Sequence, residues 1–416
     1  MFTKRLLCIL TTLTIGLLLF AFPMVHALTF SSPIRISYNT YWSLDPSVAA
    51  DGSYVYVAWA DWTPVSGSGG KPEIWLRASS NYGSSFGSPI RLTTNAGESR
   101  YPSVAASGSY VYVAWQDDTL VSGSGAAPEI WLRASSNNGV TFGSPIRIST
   151  NTYVSVNPSV ACNGSYVYIA WEDYTPVSGS GTDAEIWMRV SSNNGAAFGS
   201  PIRISTNIYW SAFPSIAAYG SYVYVAWEDY TPVSGSGGYP EIWMRVSSNN
   251  GASFGSPIRI STNTYDSLYP SVAASGSYVY VAWEDSTPVS GSGGSFEIWM
   301  RVSSNNGASF GSAIRITTNI GYSVDPSVAA YGTYVCVAWA DSTPVSGSDG
   351  SYEVWLRVSS NNGASFGPAV RITNNVYTSY CPSIAVYGTY VYVAWHDWTP
   401  VSGSGGNAEI WLKVGS

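Results

Sequence analysis

The segment "SSNNGASFGSPIRIST" (Ser247 to Thr262) decides the fold, because it recurs almost letter for letter along the 416-residue chain. Its "PIRIS" end stands at Pro33, Pro145, Pro201 and Pro257, with "PIRL" at Pro89, "AIRI" at Ala313 and "AVRI" at Ala369. Units therefore begin at 33, 89, 145, 201, 257, 313 and 369, every 56 residues and without insertion. A fixed period of this size marks units that cannot bury their apolar faces alone and must stack. The seventh unit ends at Ser416, eight residues short, and lacks the counterpart of "NNGASFGS". Just ahead of Pro33 stands "LTFSS", which resembles the "ASFGS" of the other copies.

Each unit reads as four strands. In the first these are "PSVAA" (Pro46 to Ala50), "SYVYVAWAD" (Ser53 to Asp61), "EIWLR" (Glu73 to Arg77) and "SPIRLT" (Ser88 to Thr93), divided by Gly52 and by the Gly/Ser-rich "TPVSGSGG". Four-stranded units in strict repetition predict an all-β, seven-bladed β-propeller of antiparallel blades. The split last unit predicts closure, with the N-terminal strand pairing beside the segment around Trp411 so that no strand edge stays open. An open solenoid would need no complementary half-units at its ends.

Composition agrees. Hydrophobic residues make up 45% and charged residues only 10%, with 41 glycines, 18 tryptophans and 31 tyrosines, a mixture suited to short strands and tight turns. Lys4 and Arg5, an apolar run to about Phe22 and the small-residue spacing Val25-His26-Ala27 predict a signal peptide over 1–27, cleaved after Ala27. An uncleaved anchor is the alternative. One domain, 28–416, follows. Without Lys4 and Arg5, 16 basic residues face 25 acidic ones, a net of −9 that argues against nucleic acid as a partner. Cys162, Cys336 and Cys381 stand at unrelated places in their units, so no disulfide framework is expected.

The repeated turn resembles the Asp-box, or bacterial neuraminidase repeat, of sialidase-like propellers, whose pattern is Ser-x-Asp-x-Gly-x-Thr-Trp. It starts at Ser79, Ser135, Ser191, Ser247, Ser303 and Ser359. Asn81, Asn137, Asn193, Asn249, Asn305 and Asn361 take the Asp place, while Gly83, Gly139, Gly195, Gly251, Gly307 and Gly363 are kept. The resemblance covers the chain from residue 28 onward and implies a turn between the third and fourth strands of each blade. Asn keeps the acceptor oxygen that bonds the turn backbone but drops the charge, which weakens any metal reading of the turn. The family's sialidases grip their substrate with three arginines and use a tyrosine nucleophile, a glutamate and an acid/base aspartate. Here the repeated arginines, such as Arg91 and Arg259, fall on the outermost strand, and Arg100 is the one basic residue near the axis-facing loops. The reading leans away from catalysis, with no catalytic residue, cofactor or metal assigned.

The repeated charges have structural readings. Counting back from the turn sets Glu73 near Arg91 and Glu241 near Arg259, which predicts cross-strand ion pairs. The Asp after "AW" (Asp61 and its six counterparts) should cap the "TP" turn. His396, the only histidine beyond the leader, reads as a surface substitution. Variation concentrates in two slots on the face opposite the Asp-box turns. One holds Trp42, Glu98, Val154, Trp210, Asp266, Tyr322 and Thr378; the other holds Trp62, Asp118, Tyr174, Tyr230, Ser286, Ser342 and Trp398. A fixed scaffold with one diversified face is how a recognition surface is built. Trp42, Trp62 and Trp398 are expected to gather at the closure, and Trp210, Tyr174 and Tyr230 across blades three and four. The expected function is a secreted or cell-surface monomer binding a glycan, or another extracellular protein or polymer, through these aromatics. The alternatives are a sialidase-like glycoside hydrolase working in the central funnel and a structural cell-envelope protein.

Overall fold

The computed structural model describes residues 28–123, 127–177, 183–348 and 350–416. The leader expected over 1–27 lies outside the described residues. Seven four-stranded antiparallel sheets follow one another around an axis. Blade one consists of Ser43–Asp51, Tyr54–Asp61, Glu73–Ser79 and Ile90–Arg91, from the axis outward. Blade seven takes Ser379–Tyr387, Tyr390–Asp397 and Glu409–Gly415 from the C-terminus and Ile34–Arg35 from the N-terminus.

Closure is as expected. Ile34 pairs with Leu412 and Arg35 with Trp411, and the Thr29 N–H donates to the Ser416 carbonyl at 3.1 Å. Phe30 fills the place of the missing turn's aromatic; a Cβ on Gly415 would lie 2.7 Å from its ring, so only glycine lets the two ends meet this closely. Adjacent blades are tied by one hydrogen bond repeated around the axis. The serine of each "PS" accepts the N–H two positions after the next blade's proline: Ser47 from Val104, Ser159 from Ile216, and finally Ser383 from Val48, each at about 3 Å. That last bond completes the circle.

The core lies in the seams. Tyr392, Ala394, Ile410 and Leu412 of blade seven pack with Val48, Val55, Val57 and Trp59 of blade one, and the other seams repeat this set. The Asn turns serve the same seams. The Ser79 hydroxyl accepts from the Gly83 N–H at 3.0 Å and Asn81 Oδ1 from the Ser85 N–H at 3.0 Å. Gly83 has φ +78°, and a Cβ there would come within 2.9 Å of Val414 of the preceding blade. Phe86, the aromatic that ends the turn, packs into the seam with blade seven.

The innermost and outermost strands differ most from expectation. The innermost strand is longer, Ser43–Asp51 rather than Pro46–Ala50, because a bulge between Leu44 and Ser47 absorbs the proline. The outermost strand shrinks to Ile90–Arg91, since beyond it the ladder passes to a side chain: the Ile74 N–H donates to Thr93 Oγ1 at 2.8 Å.

The expected ion pairs are present. Arg91 meets Glu73 at 2.7 Å and Arg371 meets Glu353 at 2.8 Å; Arg259 pairs likewise with Glu241, whose second oxygen accepts from Ser261. The register places Trp75 opposite Arg91, so the carboxylate reaches the guanidinium on the diagonal. These glutamates are fully buried, and burial pushes the Glu241 carboxyl above its ordinary range against the pull of Ser261 and Arg259.

Two predictions follow from this architecture. A chain starting at residue 38 should unfold at a lower temperature than one starting at 28 and self-associate with concentration, because Glu409–Gly415 becomes an open edge; thermal unfolding and size-exclusion chromatography check this. Arg259→Met should cost about 3 kcal/mol in urea unfolding near neutral pH and less at pH 5, where the stranded Glu241 is more readily neutralised.

Candidate functional site

The loops before the innermost strand and after the second strand emerge on one face, where the Trp62 N–H donates to the Trp42 carbonyl at 2.9 Å. The "TP" aspartate organises that face. Asp61 Oδ1 accepts the Thr63 N–H at 2.8 Å, the cap expected from sequence. Its Oδ2 also accepts Trp59 Nε1–H at 2.9 Å, Ser43 Oγ–H at 3.1 Å and Asn39 Nδ2–H at 2.8 Å. Asn39 Oδ1 in turn accepts the Tyr41 N–H at 2.8 Å, forming an Asx turn that holds the Tyr41 ring out in solvent.

The same relay presents Tyr153, Tyr209, Tyr265 and Tyr377, all between 39% and 46% exposed. Blades two and six carry Gly97 and Gly321 instead. A Cβ at these positions would fall 2.4 Å from the Thr119 nitrogen and 2.3 Å from the Thr343 nitrogen, so the loops there close against one another and carry no ring at that position, although Tyr322 stands exposed beside Gly321. The sequence reading missed these five tyrosines, although the spacing Asn-x-Tyr in five units was the available signal.

Of the residues singled out from sequence, Trp42 and Trp62 meet edge to face at 6.3 Å, with the Arg100 guanidinium 5.1 Å over Trp62. Trp398 does not join them: among the described residues no ring contact links it to either, because Trp62 leans toward blade two while Trp398 belongs to blade seven. The second cluster does assemble. Trp210 stacks on Tyr230 at 5.0 Å and donates from Nε1 to Glu172 at 3.0 Å, and the Tyr174 hydroxyl lies beside the same carboxylate. Arg100, the one cation considered for a substrate grip, is held by Glu98 at 2.6 Å, and Lys71 reaches the other Glu98 oxygen at 2.9 Å.

The axial cavity, about 390 Å³, is lined by the residue at each bulge with its following Pro and Ser. Asp45, Tyr101, Asn157, Phe213, Tyr269, Asp325 and Cys381 occupy the bulge, all with φ between +48° and +55°. Tyrosine, phenylalanine and cysteine rarely hold that conformation, so the bulge imposes it and aims seven side chains of five kinds at the axis. This third variable slot went unread because a period-two strand places alternate residues on opposite faces, and the bulge breaks the period.

Behind the bulge sits a buried polar layer. Gln116, Glu172, Glu228 and Glu284 accept the N–H of Asn157, Phe213, Tyr269 and Asp325 respectively, at 3.0 to 3.4 Å. Burial raises Glu228 and Glu284 to about 8 and Asp45 to about 6. His396 belongs to this layer. It is only 7% exposed, not the surface substitution expected, and burial lowers it to about 4, which leaves the imidazole neutral at pH 7.

Four short segments, residues 100–121, 214–231, 270–287 and 380–398, match the model of the LVIVD repeat; they span the two inner strands of blades two, four, five and seven. No curated protein matches the chain. Among solved structures, a protein of unknown function from Dyadobacter fermentans aligns at 11% identity over 94% of this chain and 100% of its own, with a TM-score of 0.54. The endosialidase of phage phi92 aligns at 10% identity over 92% of this chain and 68% of its own, with a TM-score of 0.52. At such identities the likeness is one of fold: the chain is a repeat protein with the sialidase-like β-propeller architecture. No helix among the described residues is long and apolar enough to cross a membrane.

The buried layer makes stability pH-dependent. Glu228 and Glu284 lose their protons near pH 4.5 in the unfolded chain and near 8 when folded. Between these values the folded state holds more protons, so their contribution declines as pH rises, by up to about 1.4 kcal/mol per pH unit per carboxyl. Replacing both by Gln, the residue blade two already uses at position 116, keeps an acceptor for the bulge N–H and should flatten the fall of melting temperature between pH 5 and 8.

Proposed function

We propose that this chain is a secreted or surface-displayed binding propeller, its single domain running from residue 28, which takes an uncharged glycan polymer on the aromatic face. The observation that carries this reading is the manner in which the rings are held. Five exposed tyrosines stand on Asx turns locked to buried aspartates, so their geometry is set before any ligand arrives and little ordering cost remains on binding. Flat rings beside hydrogen-bonding carboxylates suit a sugar, whose C–H faces stack and whose hydroxyls seek acceptors. Trp210, Tyr230 and Tyr174 around Glu172 form one such place, and Trp42 and Trp62 another.

Charge narrows the ligand. The axial cavity carries Asp45 and Asp325, and both Lys71 and Arg100 are occupied by Glu98. An acidic polymer would meet repulsion without a compensating grip. The turn sequence, read as an Asp-box, and the leader over 1–27 fit an extracellular repeat protein, and no cofactor is required.

A glycan array probed with the chain from residue 28 tests the reading. Binding to neutral oligosaccharides is expected, with Trp210→Ala and Trp42→Ala each weakening it by about tenfold, equivalent to about 1.4 kcal/mol. Affinity that is absent, or indifferent to both substitutions, defeats the proposal. Turnover of a fluorogenic sialoside that disappears with Arg100→Ala would favour a glycoside hydrolase instead.

A further inference from the structure

We propose that Asp45, Cys381 and His396 form a binding site for a divalent transition metal, zinc foremost, across the seam where blade seven meets blade one. One oxygen, the sulfur and one ring nitrogen of these residues lie within 4.8 Å of one another. Asp45 comes from the innermost strand of blade one, Cys381 from that of blade seven and His396 from the second strand of blade seven. The two bulges, with φ +55° at Asp45 and +49° at Cys381, aim their side chains at the axial cavity.

His396 supplies the independent sign of a ligand. The side chain is more than nine-tenths buried, yet its Nδ1 has no hydrogen-bond partner. Blades two to five put Gln116, Glu172, Glu228 and Glu284 at the equivalent place, each accepting the N–H of the next bulge. Among the described residues only this seam combines imidazole, thiol and carboxylate.

The donor set selects the ion. Sulfur and imidazole together favour zinc and its neighbours over calcium or magnesium, which seek oxygen alone. Bonds of about 2.0 to 2.3 Å in a tetrahedral site place ligand atoms roughly 3.3 to 3.8 Å apart, so these three need draw in by about 1 Å. On binding, the sulfur–hydrogen bond of Cys381 is replaced by a sulfur–metal bond and the proton leaves to solvent through the cavity. Asp325, 3.8 Å from the Cys381 sulfur, stands behind the site. A water molecule completes the coordination from the cavity side.

The test uses the chain from residue 28 without a polyhistidine tag, reduced and stripped with chelator. Titration calorimetry with zinc should give one ion per chain, and zinc should raise the melting temperature. Cobalt(II) should show a sulfur-to-metal charge-transfer band. Cys381→Ser should abolish the band and weaken zinc at least 100-fold, while Cys162→Ser changes neither. His396→Gln should weaken zinc similarly with the metal-free melting temperature held, since Gln116 occupies the same place in blade two. The proposal is overturned by any of three results: no stoichiometric zinc, a cobalt complex without the sulfur band, or equal affinity in the wild type, Cys381→Ser and His396→Gln.

Discussion

A propeller sheet is stable only when its edges are used up, and in this chain everything rests on how the seventh sheet acquires its fourth strand. The hydrogen bonds from Thr29 to Ser416 and the pairing of Arg35 with Trp411 bring the ends together. The Ser383 to Val48 bond then locks the inner circle. With the circle closed, every blade presses on two neighbours, and the tyrosines and tryptophans of the second strand can be buried without any blade having a core of its own. The aromatic face and the axial cavity exist only because this geometry holds seven loops and seven bulges in fixed relation.

Within each blade the decisive element is a buried carboxylate. Asp61 and its counterparts unite the second strand, the preceding loop and the following turn through four donors. Such a charge is tolerable because its oxygens are fully used; a partly satisfied one would cost more than an apolar residue. The network explains why the loops can change their exposed residue from Tyr to Gly, or from Trp to Thr, without altering the frame. The Glu–Arg pair performs a similar service toward the rim, where the Arg91 guanidinium also donates to the Ser66 carbonyl at 2.7 Å and fixes the long Gly/Ser loop.

Much of this could be read from the letters, and the failures share a cause. Period, blade count, closure and the ion pairs followed from spacing because each depends on backbone pairing, which the repeat reports directly. The cluster of Trp210, Tyr230 and Tyr174 was legible for the same reason, since its slots flank the ends of regular strands. Trp398 was misplaced because nearness in ring order does not say toward which neighbour a loop leans. The bulge residues and the burial of His396 were missed together. Both depend on a single extra residue in the inner strand, which reverses the facing of Asp45 and Cys381 and which alternation cannot register.

Copies that read alike also dock alike. The side-chain set that fits blade two onto blade one would serve nearly as well to fit blade three there, so while the chain is still assembling, adjacent and skipped contacts differ little in local energy. What distinguishes the correct circle is its terminal join: Phe30 has a single counterpart in Gly415, and no internal unit offers that fit. The terminal join therefore sets the closed circle of seven copies apart from one that skips a blade.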